Sequence, residues 1–279
     1  MFQIDSEIVR SVYNNLPNYK IDYDDSCTEN ICAIYFSSND IYFPNTDEIF
    51  RKRIVEKDFF EWYHTRVKAR KHIFVRDVFK QWYLEGINAE IDSPEKLYEW
   101  LKQETGGQNV VTIGSSAGGY AAVLYGSLLR AKKVIAFNAQ FSLYPMALPD
   151  RIERNPLVFK YKDSERARFF ELKNLLCTST NYWYFASVDC DEDKEQYLNL
   201  FVHPYPIESL KCIRFKTSHH GIPFLKVALK KVLSLDDSEL LKFTKGINHP
   251  ITFTLRMVGI KNTIKGFLKQ VYIAYRKRK

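Results

Sequence analysis

The stretch Val110-Val111-Thr112-Ile113-Gly114-Ser115-Ser116-Ala117-Gly118-Gly119 changes character at its middle. Four β-branched residues read as a buried strand, and the small residues from Ala117 onward read as the start of a helix. Between them, Gly114-Ser115-Ser116-Ala117-Gly118 fits Gly-x-Ser-x-Gly, the pattern of a serine carried on a tight strand-to-helix turn. The chemistry explains the composition. Positions two residues either side of the serine must be small where backbones approach, and the helix that follows aims its free N–H groups at the reacting oxygen. A glycine-rich turn that binds phosphate is the competing reading. Against it, no Lys-Ser/Thr follows as a Walker loop needs, and Gly-x-Gly-x-x-Gly is absent.

Outward from this turn, short apolar runs alternate with helical patterns. Strands are expected at 31–36, 72–75, 109–113, 133–137, 182–186 and 211–215, with an edge strand near 19–24. Helices are expected near 46–67, in the aromatic stretch up to Gly86, and at 93–106, where Ser93-Pro94 starts and Gly106-Gly107 stops the helix. Others follow from 117, and at 163–176, 194–201 and 223–233. This order implies an α/β protein with a mostly parallel central sheet and helices on both faces, its site at the carboxyl ends of the strands.

A serine hydroxyl is a weak nucleophile until a base takes its proton. Of six histidines, His64 and His72 precede the turn, His249 lies in the tail, and His203 precedes Pro204. His219 and His220 follow the final strand, in Ser218-His219-His220-Gly221. His220, beside Gly221, is the preferred base. A carboxylate after the preceding strand would orient the imidazole and stabilise its charged form. Asp189, Asp191 and Asp193 all qualify, and Asp193 with Gln196 also makes a plausible helix cap. The oxyanion needs two N–H donors: Ala117 is one candidate, and Ser38 and Asn39 in the loop Ser37-Ser38-Asn39 after the first core strand are candidates for the other, a simple turn being the competing reading of that loop.

With these pieces in place, the sequence resembles the α/β-hydrolase superfamily over residues 30 to 235. More narrowly, it is similar to hydrolase-type proteins encoded among bacterial capsule and surface-polysaccharide genes. Tyr35-Phe36-Ser37-Ser38-Asn39, Arg76-Asp77 with Trp82-Tyr83 and Gly86, the serine turn through Tyr120, and His220-Gly221-Ile222-Pro223 carry this likeness. The resemblance implies the α/β-hydrolase fold and a Ser-His-Asp triad. The chain departs from the wider superfamily in lacking a His-Gly-Gly-Gly oxyanion segment and a large lid insertion between Phe137 and Tyr182. A polar substrate, such as a saccharide-linked ester, is therefore expected rather than a long acyl chain. Ser115, Arg76 and Asp77 are candidates to hold it; alternatively Asp77 caps the expected helix of Trp82 and Tyr83 and Arg76 pairs with it.

At 279 residues the chain can hold one sizeable core, expected over 1–240, with a separate segment at 241–279. Nine of the 41 Lys and Arg lie between Lys245 and Lys279 without an acidic residue, leaving 32 basic against 33 acidic residues elsewhere. The formal charge of +8 thus belongs to the tail, and a nucleic-acid groove across the body is not supported. Ile260, Ile264, Phe267, Leu268, Val271, Tyr272 and Tyr275 recur there at three- and four-residue steps beside Lys261, Lys265 and Lys269. From 256 to 279 this reads either as a basic amphipathic helix on an anionic membrane surface or as a helix packed on the domain.

Five scattered cysteines give no metal spacing and no disulfide framework, and no cofactor is implied. A reducing cytoplasm is expected, with attachment to the inner membrane face as the tail's alternative. Three functions remain open: an esterase or deacylase, an acyltransferase with the same acyl-enzyme, and a non-catalytic hydrolase-fold scaffold.

Overall fold

Apolar residues on both faces of one strand require cover on both sides of a sheet, and the β-branched run before the serine turn meets this demand. The computed structural model describes residues 3–201 and 207–277. His203, passed over as a base, and Arg278 and Lys279 of the tail lie outside the described residues. The strands are β1 (Tyr19–Tyr23), β2 (Ile31–Phe36), β3 (Lys71–Val75), β4 (Asn109–Ser115), β5 (Lys133–Phe137), β6 (Asn181–Ser187), β7 (Leu210–Phe215) and β8 (Ile247–Asn248). They form one sheet in the order β1-β3-β2-β4-β5-β6-β7-β8. Only β1 runs antiparallel, pairing Tyr19 with Val75; all other neighbours are parallel. The register pairs Phe36 with Gly114, Ser115 with Phe137 and Ser187 with Phe215, so the loops after β2, β4, β5, β6 and β7 leave along one edge.

Alternate residues build two cores. Cys32, Ile34 and Phe36 of β2 join Tyr182 and Tyr184 of β6 on one face, while Ala33, Tyr35, Trp183 and Phe185 join the other. The helices are α1 (Glu7–Asn15), α2 (Asp47–Phe50), α3 (Pro94–Thr105), α4 (Ala117–Leu128), α5 (Pro156–Tyr161), α6 (Asp191–Phe201), α7 (Leu229–Leu233), α8 (Asp237–Leu241) and α9 (Pro250–Lys277). The first core takes α3 and α4. At the start of α3, Ser93 Oγ accepts the Lys96 amide at 3.2 Å, and the helix ends at left-handed Gly106, as its sequence predicts.

Several expected helices are not regular. The 46–67 segment is only α2 and a π-turn at Arg51–Val55; beyond it Phe60 and Trp62 leave any helix face and plug the second core. The Trp62 indole donates to Phe36 O at 2.9 Å, fixing that loop across the end of β2. The aromatic stretch before Gly86 is a chain of turns wound round Asp77. Segment 163–176 resolves into 3-10 turns at Glu165–Phe169 and Leu172–Leu175, because the bridge Ser142–Glu171 pulls it onto the body. Segment 223–233 divides into a 3-10 turn (Lys226–Ala228) and α7, and the helix expected at 194–201 starts earlier, at Asp191.

The boundary at 240 is also corrected. β8 extends the sheet beyond it, and Phe253, 2% exposed, packs against Phe215, Phe224 and Phe243. The sheet edge and the second core need these residues, so the body runs on to Gly259, where α9 breaks (φ 76°, ψ 171°).

Candidate active site

Ser116 sits between the end of β4 and α4 with φ 53° and ψ −124°, a strained backbone for a residue with a side chain. Such strain costs on the order of 1–3 kcal/mol and persists only where surroundings fix it. The two glycines of the pattern permit it: a Cβ on Gly114 would meet Gly118 O at 1.9 Å, and one on Gly118 would meet Phe36 O at 2.3 Å. The second contact also brings the serine turn directly beside the loop that leaves β2.

Ser116 Oγ lies 2.7 Å from His220 Nε2, and His220 Nδ1 lies 2.8 Å from Asp193 Oδ1. Asp193 is fully buried in the first turn of α6, whereas Asp189 and Asp191 are exposed. Of the three candidate carboxylates, the structure brings Asp193 to the imidazole and leaves the other two in solvent. His219 is exposed at the pocket rim. Its carbonyl accepts from Ser187 Oγ at 2.7 Å, and the Gly221 carbonyl accepts from Asn138 Nδ2 at 3.0 Å. These buried groups at the ends of β6 and β5 pin the histidine loop, and their sequence context gave no sign of it. Burial opposes a charged His220, but the hydrogen bond and charge of Asp193 outweigh it, and its pKa lies above the ordinary histidine value. Such a hydroxyl–imidazole–carboxylate chain is suited to move a proton off the hydroxyl and back to a leaving group.

Cys190 Sγ, an Asp193 oxygen and a His220 nitrogen lie within 4.8 Å of one another. A metal bound there would compete with the Asp193–His220 hydrogen bond.

The N–H of Ala117 opens α4 beside Ser116. Ser38 N, by contrast, donates to Glu61 Oε2 at 2.6 Å, so the expected oxyanion donor at Ser38 already has an acceptor. The Asn39 amide has none among the described residues. Glu61 lies in the Phe59-Phe60-Glu61-Trp62-Tyr63 run and was not singled out from sequence. The signal was available: an acid between two aromatics, in a segment too rich in aromatics to lie on one helix face. Burial raises its pKa, with the Ser38 amide and Lys226 opposing.

Arg76 and Asp77 do not reach the pocket. Arg76 is 2% exposed; it donates to Asp58 Oδ1 at 3.0 Å, Phe59 O at 3.2 Å and Asn18 Oδ1 at 3.2 Å, and stacks on Phe60. Asp77 accepts the amides of Phe79, Lys80, Gln81 and Tyr83 at 2.7–3.1 Å. Burial nevertheless pushes its carboxyl up to about 6. The expectation that they hold substrate is corrected: Asp77 caps the turn, and Arg76 pairs with Asp58 rather than with Asp77. Ser115, although buried, does line the pocket. This pocket, about 750 Å³, also takes in Ser116, His220, Asp40, Glu61 and Lys226, a volume suited to a small-molecule ligand.

No known protein-family profile matches the chain, and no curated relative matches it. Among solved structures, it is similar to a capsule O-acetyltransferase of Neisseria meningitidis serogroup A at 14% identity, covering 71% of this chain and 82% of that one, with a TM-score of 0.44. A protein of unknown function from Staphylococcus aureus matches at 12% identity over 86% of this chain and 94% of that one, TM-score 0.43. Acetyl xylan esterase 1 of a Thermoanaerobacterium species matches at 10% over 70% and 69%, TM-score 0.38. The chain's own topology is more direct. A mostly parallel sheet, a serine turn closing its central strand, and acid and histidine loops following the later strands in the order Ser…Asp…His together make this an α/β-hydrolase fold.

Proposed function

We propose that this protein is a serine esterase or deacylase that works through an acyl-enzyme on a polar, saccharide-linked ester. The single observation that carries the reading is the continuous contact Ser116–His220–Asp193, with bonds of 2.7 and 2.8 Å, whose serine and histidine line a pocket of about 750 Å³. In this reading Ser116 Oγ attacks the ester carbonyl as its proton passes to His220 Nε2. Asp193 holds the tautomer and steadies the imidazolium. The carbonyl oxygen, now an anion, takes the Ala117 N–H and a second donor from the β2 loop, the open amide of Asn39. Collapse expels the alcohol, which leaves with the proton from His220. Water then enters by the same path in reverse and frees the acid and the serine. A sugar hydroxyl in place of that water makes the enzyme an acyltransferase, and the resemblance to capsule and surface-polysaccharide proteins fits either outcome.

The test is labelling by a fluorophosphonate probe. Wild type is expected to label and Ser116→Ala not to; equal labelling of both overturns the reading. Product analysis with an added sugar acceptor then divides hydrolysis from transfer.

The tail supports attachment to an anionic membrane surface. At about 100° per residue, Ile260, Ile264, Phe267, Leu268, Val271 and Tyr275 share one arc, and all are at least 46% exposed. The inward arc holds Thr263, Gly266 and Gln270. A Cβ on Gly266 would meet Val227 at 2.5 Å, so the small side of α9 is the one seated on the body. The helix turns its apolar side outward, with Lys261, Lys265 and Lys269 along one border. Each basic residue near anionic lipid contributes on the order of 1 kcal/mol. No described helix is long and apolar enough to cross a membrane.

A further inference from the structure

Glu61 is a carboxyl inside the pocket that the proposed acyl-transfer steps do not use, and the fold spends several buried groups on holding it there. Arg76, itself buried, grips Asp58 and the Phe59 carbonyl and stacks on Phe60 at 4.4 Å. On the other side, Trp62 is tied to Phe36 O at 2.9 Å. Phe60 and Trp62 are 4% and 3% exposed, so the residue between them is fixed from both directions. One Glu61 oxygen accepts the Ser38 amide at 2.6 Å, which fixes the carboxyl as well as the backbone. No ion pair within 4.0 Å neutralises it among the described residues; Lys226 lines the same pocket and attracts it from farther away, while Asp40 repels it. Burial raises the Glu61 pKa, while the Ser38 hydrogen bonds and Lys226 favour the charged form, and in that form the carboxylate accepts hydrogen bonds and donates none. Its natural partner in a pocket is a neutral group that donates, such as a sugar hydroxyl, and its field disfavours an anionic one.

We infer that Glu61 is the specificity-determining residue of this pocket, accepting hydrogen bonds from the hydroxyls of an uncharged sugar and turning away sugars that carry a carboxylate or phosphate near the ester. This rests on the acyl-enzyme reading and deepens it by naming the substrate class. Glu61 takes over the substrate-holding part that sequence assigned to Arg76 and Asp77, while Arg76 serves as a positioning residue for the loop that carries it.

The experiment compares kcat/KM for two matched esters, an O-acetylated methyl glucoside and the corresponding O-acetylated glucuronide, in wild type, Glu61→Gln and Glu61→Ala. Glu61→Gln keeps the size and one accepting oxygen but removes the charge. Wild type is expected to prefer the neutral ester, and Glu61→Gln to narrow that preference about tenfold, the glucuronide rate rising relative to the glucoside rate. An unchanged preference with both rates lowered alike means that Glu61 only supports the loop, and overturns the inference. Both rates raised alike in Glu61→Ala means that the carboxyl merely obstructs the Ser38 amide, and overturns it too. Wild type with no Ser116-dependent turnover of either ester fails differently, because it removes the enzymatic reading itself.

Discussion

Asp189, Asp191 and Asp193 share a five-residue stretch, yet only one meets His220. Asp191 and Asp193 are both helical, and two residues of helix turn a side chain by about 200°, which sends one to solvent and the other to the core. Their difference is rotational, so composition and spacing left all three open. It also yields a sharp expectation. Asp193→Asn should lower kcat by about 10⁴, because the imidazole loses its orienting anion, whereas Asp189→Asn and Asp191→Asn should stay within about twofold; steady-state hydrolysis of a chromogenic ester reads all three. The pH profile adds a second readout. The base works only when neutral, and Asp193 raises the His220 pKa against the opposing effect of burial. Activity should therefore rise with pH through a midpoint above the ordinary histidine value of about 6.5. Removing the charge at 193 lowers that pKa, so the residual activity of Asp193→Asn should rise through a midpoint at lower pH. A midpoint that does not move contradicts the assignment.

At the scale of elements, the helix expected before Gly86 became a chain of turns built round a single side chain. Asp77 gathers four amides from a turn in which Lys80, Trp82 and Tyr83 all have positive φ. Helical backbone cannot aim the N–H groups of Phe79, Lys80, Gln81 and Tyr83 at one carboxylate while placing Trp82 and Tyr83 in the core. Propensity counts neighbours along the chain and does not see this. Asp77→Ala leaves those amides without their acceptor in a buried site. Unpaired buried donors cost about 1–3 kcal/mol each where water does not reach them. The turn can relax toward solvent, so a total loss of about 2–4 kcal/mol is expected, read as a lower midpoint in urea unfolding. A loss under about 0.5 kcal/mol would mean that the carboxylate is not what shapes the turn. The 56–70 loop follows the same logic through Arg76 and Trp62, and there the consequence reaches the pocket through Glu61.

At the scale of the whole molecule, the body and the tail present opposite kinds of surface. The body buries most of its aromatics in its cores, whereas Phe267, Tyr272 and Tyr275 of the tail are exposed and α9 seats Thr263 and Gly266 on the body. Lys261, Lys265 and Lys269 changed together to Glu should abolish binding to phosphatidylglycerol vesicles and leave binding to neutral vesicles unaltered. Wild-type binding should weaken as salt rises, since the attraction is screened. Vesicle co-sedimentation measures both, and binding that survives the charge reversal removes the membrane reading. Sequence by itself determined where seven of the eight strands lie along the chain, the serine turn and the loop that carries His220, since each depends on residues adjacent along the chain: β-branched runs, small residues about Ser116, glycine after the histidine. Only the tertiary structure decided which carboxylate faces the imidazole, that Arg76 and Asp77 support loops instead of touching the pocket, and that Glu61 enters it. Those outcomes turn on helix rotation and on competition for buried amides between residues far apart in sequence, such as Ser38 with Glu61 and Asn18 with Arg76, and a linear pattern holds no record of either.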